Sequence, residues 1–153
     1  MKKKMNNKGF SLVELIIVIA IMAVLMVVLA PQLLKYVEKT RLQKDNSAIS
    51  EIANAIKVAC ADETIILDVS NAGGRSYSTV ATAGAKTLSF NSSSTDKLEV
   101  ELADVIGASV TTSSTTYSKS TTAITISVSV DGEVTVTGFI SEPNSTTTET
   151  KNF

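Results

Sequence analysis

Lys8-Gly9-Phe10-Ser11-Leu12-Val13-Glu14-Leu15, followed by IIVIAIMAVLMVVLA to Ala30 and closed by Pro31, is the stretch on which the fold turns. From Leu12 to Ala30 it is apolar apart from Glu14. At about 1.5 Å of rise per residue, a helical run of this length crosses a hydrocarbon core roughly 30 Å thick. A helix satisfies its own backbone polar groups in lipid, whereas a lone strand leaves them unpaired. Lys2, Lys3, Lys4 and Lys8 precede the run and no lysine lies within it. The N-terminus is therefore expected in the cytoplasm and the chain beyond Pro31 outside.

An ordinary secretory signal would place its cut after Val28-Leu29-Ala30, but its apolar core is usually about 7–15 residues long, and Pro31 would follow the cut. A plain signal anchor accounts for everything except Glu14. A carboxylate within an apolar helix costs a few kcal/mol on insertion scales, so such a residue usually has a partner or a task. Water reaching Glu14 near the cytoplasmic interface is the bland alternative.

The stretch Gly9-Phe10-Ser11-Leu12-Val13-Glu14 resembles the processing motif of type IV prepilins and pseudopilins. The resemblance covers about the first third of the chain. It implies cleavage of a basic leader after Gly9, N-methylation of the new N-terminal Phe10, and a filament-assembly role for Glu14 with the Phe10 amine. Cleavage sets that amine four residues, one helical turn, from Glu14. The family account pairs the amine with Glu14 of a neighbouring subunit. In an apolar filament core an unpaired charge is expensive, so the pair penalises wrong registers, while the aliphatic faces supply most of the affinity. Pro31 stands where these pilins commonly carry a proline. It removes a backbone donor and disfavours helical geometry at Ala30, which predicts a helix kink. The partners implied are prepilin peptidase, the pilus assembly machinery, the membrane before assembly and further copies of the chain in a homopolymeric filament. The expected location is a single-pass membrane protein first and a surface pilus afterwards.

The whole chain has 153 residues, 44% of them hydrophobic and 19% charged, enough for one modest domain beyond a membrane segment. Without the four leading lysines, the formal side-chain charge of −1 becomes −5. No basic stripe with interleaved aromatics follows, so nucleic acid is not an expected partner. The chain has one cysteine, Cys60, and no histidine. That excludes an internal disulfide, Cys/His metal sites and His-dependent triads or dyads. No catalytic residue, metal or cofactor is expected. Cys60 reads as a small buried side chain, with intermolecular pairing or redox chemistry as the alternative.

From Gln32 to about Ala61 the polarity changes but a helical period persists. Leu42, Ile49 and Ile56 repeat every seven residues beside Ile52 and Ala59, while Lys44, Asp45, Glu51 and Lys57 fall on other faces. Thr64 to Val69 reads as a strand or an entry into a sheet, Gly73-Gly74 as a loop, and Leu88 with Phe90 as a short strand. Leu98, Leu102, Val105 and Ile106 predict a helix capped by Ser94 or Thr95 and stopped at Gly107. Ile124, Ile126, Val128 and Val130 alternate with polar residues, as do Val134 and Val136. A two-residue Asp131-Gly132 loop would waste the buried face. A Val130-Asp131-Gly132 loop with Gly132 left-handed pairs Val128 with Val134 and Ile126 with Val136. Thr111 to Thr122 reads as an exposed loop or strand edge, and the tail after Pro143 as mobile. Asn91-Ser92-Ser93 and Asn144-Ser145-Thr146 match the glycosylation triplet, which arises readily in such composition.

The expected organisation is a leader over 1–9, a membrane and filament-core helix over 10–31, an amphipathic continuation over 32–61, and an extracellular β-rich head over 62–153. The expected fold is α+β and pilin-like: a long kinked helix packed on a small antiparallel sheet. The expected function is a structural subunit of a type IV pilus serving adhesion, aggregation or motility. A minor or competence pilin and a type II secretion pseudopilin share the N-terminal features. Major pseudopilins usually carry an acidic calcium-binding loop near the C-terminus, and Ser141 to Phe153 has no comparable cluster. A membrane-anchored enzyme would need a carboxylate pair in the head, and no convincing pair is present.

Overall fold

The computed structural model describes residues 10–79, 85–91, 93–145 and 147–153. The leader prediction, including Gly9, therefore lies outside the described residues, as do Ser92 and Thr146 of the two glycosylation triplets. Contacts divide the chain into two units, Met1–Tyr36 and Val37–Phe153. The first helix, α1 (Leu12–Ala59), contributes to both.

In the first unit the helix presents apolar side chains on every side, and each of residues 12–36 is exposed. Pro31 lies inside the helix and does not end it.

The second unit is α+β. After α1 come α2 (Glu63–Asn71), β1 (Arg75–Ser78), β2 (Thr87–Ser89), α3 (Lys97–Val105), β3 (Ser109–Thr111), α4 (Thr115–Lys119), β4 (Thr125–Val128), β5 (Val134–Phe139) and β6 (Glu149–Asn152). A four-stranded antiparallel sheet has the order β1-β4-β5-β6, and β2 pairs with β3 in a separate antiparallel ribbon. The seven-residue stripe of α1 is buried as expected: Leu42, Ile49 and Ile56, with Ile52 and Ala53 beside them, share one core with Ile126, Val128, Val134 and Val136. These are the inward residues of β4 and β5, as the alternation requires. Cys60 is half-buried against this core, and burial pushes its thiol above the usual range.

The central hairpin has the expected register. Ile126 faces Val136, Val128 faces Val134, and Ser129 N–H donates to the Glu133 carbonyl at 2.9 Å across a three-residue loop. Gly132 has φ of 80°, a left-handed conformation open to glycine at no steric cost. Beyond it, the β5–β6 register shifts between Thr137 and Phe139. Gly138, with φ of 84°, sits there with so little room that a Cβ would lie 2.3 Å from the Ala123 carbonyl oxygen.

Four expectations are corrected. Thr64 to Val69 is helical, inside α2, because Ile65 and Val69 reach the core at i and i+4, and Asp62 caps the helix by accepting Thr64 N–H at 2.7 Å. The β-branched run that suggested a strand is overridden by this packing. The cap of α3 is Asp96, which accepts from Leu98 N–H at 3.0 Å; Ser94 supports it by accepting Asp96 N–H at 3.2 Å. The stretch from Thr111 to Thr122 is not an exposed loop: it contains α4, and Thr112, Ser114, Thr116 and Tyr117 are buried. The segment after Pro143 forms β6, paired with β5 from Thr135 to Phe139.

Candidate assembly site

At the start of α1, Ser11 precedes the helix and Glu14 lies in its first turn. The Glu14 Oε2 atom accepts Ser11 N–H at 3.1 Å, and Leu15 N–H donates to the Ser11 carbonyl at 3.3 Å. A carboxylate here satisfies one of the donors that a helix N-terminus leaves free and lies at the positive end of the helix dipole. Phe10 is 89% exposed. In the uncleaved chain its nitrogen is an amide; cutting after Gly9 turns it into a cation one turn from Glu14. The following apolar run is long enough to cross a membrane.

The sequence profile of the prokaryotic N-terminal methylation motif matches residues 4–30. The chain carries the prepilin/pseudopilin signature. No curated protein and no solved structure matches it significantly. The signature together with one apolar N-terminal helix fits a membrane-anchored, pilin-class chain.

A second set of polar residues in this chain was missed by sequence reasoning. Asp45, which the pattern placed away from the buried stripe, is only 4% exposed. Its carboxylate accepts Ser113 N–H at 2.9 Å, Ser113 Oγ–H at 3.0 Å and Ser114 N–H at 2.7 Å. One turn-pair earlier, Glu38 Oε1 accepts Thr116 N–H at 2.8 Å and Thr116 Oγ1–H at 2.9 Å. Burial pushes the Glu38 carboxyl up, but the hydrogen bonds from Thr116 and Thr115 outweigh it and hold the group below its usual range. Asn46 Oδ1 accepts the Tyr117 hydroxyl proton at 2.7 Å, and its Nδ2 donates to the Ile140 carbonyl at 2.9 Å. The Tyr117 oxygen in turn accepts Ile140 N–H at 3.1 Å. Burial is the main cause that pushes the Tyr117 phenol up to about 12.

Glu38, Asp45 and Asn46 thus fasten α4 and Ile140, just beyond β5, to α1. The signal was present in the sequence. Glu38 and Asp45 are seven residues apart, flanking the Leu42 row, and Ser113-Ser114-Thr115-Thr116 is rich in helix-capping residues.

The arrangement anchors α1 to the segment around α4. Among the described residues, no group of three or more His, Cys, Asp or Glu side chains is placed to hold a metal ion. The ion pairs among the described residues join Arg75 to Asp68 at 3.2 Å and to Asp96 at 2.9 Å. With Tyr77 Oη–H donating to Asp96 at 3.2 Å, they tie β1 to α2 and to the cap of α3.

Proposed function

We propose that the chain is a structural subunit of a type IV pilus. Its leader, residues 1–9, is removed by prepilin peptidase after Gly9, and Phe10 is then N-methylated. Residues 10–31 hold it in the membrane with the head outside until the assembly machinery packs that helix into a homopolymeric filament. Residues 32–61 carry the helix into the head, and residues 62–153 complete the head displayed at the cell surface for adhesion, aggregation or motility. The observation that carries this reading is a methylation motif opening a helix whose apolar side chains are exposed all round, with Glu14 as the one carboxylate between Leu12 and Ala30. Such a surface requires lipid or other helices as its surroundings.

In the filament, Glu14 receives the Phe10 amine of a neighbour in place of the Ser11 N–H that occupies it in the uncleaved chain. Pro31, lacking a helical donor, is the point where the helix bends on leaving the bilayer. The test is mass spectrometry of sheared surface filaments together with Glu14→Ala. Polymers should contain an N-terminal peptide starting at methylated Phe10. The variant should be processed and inserted normally yet give less than about a tenth of the wild-type filament yield, as expected when a charge loses its buried partner. Wild-type yield from Glu14→Ala, or a mature terminus elsewhere, would refute the reading.

A further inference from the structure

The second unit has its charges sorted along α1. The α2 and α3 regions, residues 62–71 and 96–106, hold seven carboxylates and a single lysine, Lys97. Arg75 neutralises Asp68 and Asp96. Asp62, Glu63, Glu101 and Asp104 remain exposed. Against them lies an open groove where the end of α1 meets α2 and α3, lined by Ala55, Val58, Ile65, Leu102 and Val105 and rimmed by Asp62 and Glu101. Val58 is 74% and Val105 64% exposed, so the floor is apolar surface left in contact with water.

At the other end of the same helical segment, Lys39, Arg41 and Lys44 are exposed, and among the described residues no ion pair engages them. They precede Val58 by 14 to 19 residues. The helical rise therefore separates them from the groove by roughly 20–30 Å along α1, and they cannot reach it within one copy.

We propose that the groove receives the cationic turns of α1, Lys39 to Lys44, from a second copy of the chain. The proposal rests on the filament reading above and adds to it a contact between heads. Long basic side chains suit this floor and rim: their methylene stems cover Val58 and Val105 while the charged ends reach Asp62 and Glu101. The two faces are different surfaces of one molecule, so the contact is head-to-tail and, unless its rotation closes a ring, repeats into a fibre rather than stopping at a dimer. Opposite charge at the two ends orients approaching copies and penalises like-end encounters. Lys57 and Lys97 on the acidic end reduce the imbalance without reversing it.

The experiment uses sheared filaments of the full chain in a Cys60→Ala background. Val105→Cys is combined with Lys44→Cys or with Arg41→Cys, followed by mild oxidation. A reducible ladder of multimers is expected from at least one pair, and monomers from each single-cysteine chain. Charge reversal provides a second measurement: Glu101→Lys lowers filament yield about tenfold, and adding Lys44→Glu restores at least half of the loss. Filaments that form normally but give no ladder with either pair would overturn the proposal. So would a dimer from Val105→Cys alone, which marks a symmetric face, or an adduct with a different protein. Absence of filaments from the Cys60→Ala parent and from wild type alike would instead remove the filament reading on which the proposal stands.

Discussion

Replacing Asp45 by alanine removes the acceptor for three donors at once: Ser113 N–H, Ser113 Oγ–H and Ser114 N–H. They do not lose equally. Ser113 is exposed, so water replaces the carboxylate at modest cost. Ser114 is 1% exposed, and its N–H is left without a partner in a dry setting. A buried donor deprived of its acceptor costs about 1–3 kcal/mol, and a hydrogen bond to a charged group contributes about 1.5–3 kcal/mol. The variant should therefore lose about 2–3 kcal/mol, which for a head of this size lowers the melting temperature by about 10 °C. Near-ultraviolet circular dichroism of the purified full chain in detergent is the suitable assay, because Tyr117 follows these bonds directly in α4 and is itself buried. Asp45→Asn should fall between, since one amide oxygen still accepts while the NH₂ group opposes a donor. Melting of Asp45→Ala within about 2 °C of wild type, or no lower than that of the exposed-site variant Asp104→Ala, would refute the carboxylate clamp.

Acid should loosen the neighbouring Glu38–Thr116 contact. The Glu38 carboxyl is held below its ordinary value of 4.5 in the folded head, so its contribution is present above that value and is lost as pH falls through the lowered one. Melts recorded between about pH 5 and pH 2 should show this loss, and Glu38→Gln should flatten part of the slope; an unchanged slope in the variant contradicts the assignment. Gly138→Ala adds a Cβ 2.3 Å from a backbone oxygen at a positive φ and should cost about 2–4 kcal/mol. Gly73→Ala, with φ of 75° and open space around it, should cost only about 1–2 kcal/mol, and equal losses at the two sites would contradict the bulge geometry.

What the sequence disclosed follows from the range of the forces involved. The membrane-length run, the α1 stripe and the Val128–Val134 register are set by local period and by one left-handed glycine, and the structure repeats them. Ile65 and Ile66 misled because β-branched residues favour strands on average, whereas here the i, i+4 placement of Ile65 and Val69 and the Asp62 cap decide. The Ser/Thr-rich stretch around Tyr117 misled for a different reason. Its hydroxyls look solvent-facing by composition, but their partners, Glu38 and Asp45, lie 68 to 78 residues away in the chain. The C-terminal segment likewise becomes a strand through β5, including Phe153 N–H donating to the Val134 carbonyl at 2.9 Å. Composition carries no record of such pairings.

The clamp also bears on how a filament of these subunits would carry load. In the proposed filament, tension would pass through the packed helices and enter each head along α1. Apolar packing resists separation but is in itself non-directional. Carboxylates bonded to backbone N–H groups are directional, and charge assistance makes each roughly twice as strong as a neutral bond. Glu38 and Asp45 place two such fastenings in the first turns of α1 within Val37–Phe153, tied to Thr116 of α4 and to Ser114 before it, and Asn46 adds neutral bonds to Tyr117 and to Ile140 just beyond β5. A helix drawn along its axis would have to break them before the hydrophobic stripe could slip. The polar residues that composition assigned to an exposed loop are therefore the part of the head best suited to hold its helix under strain.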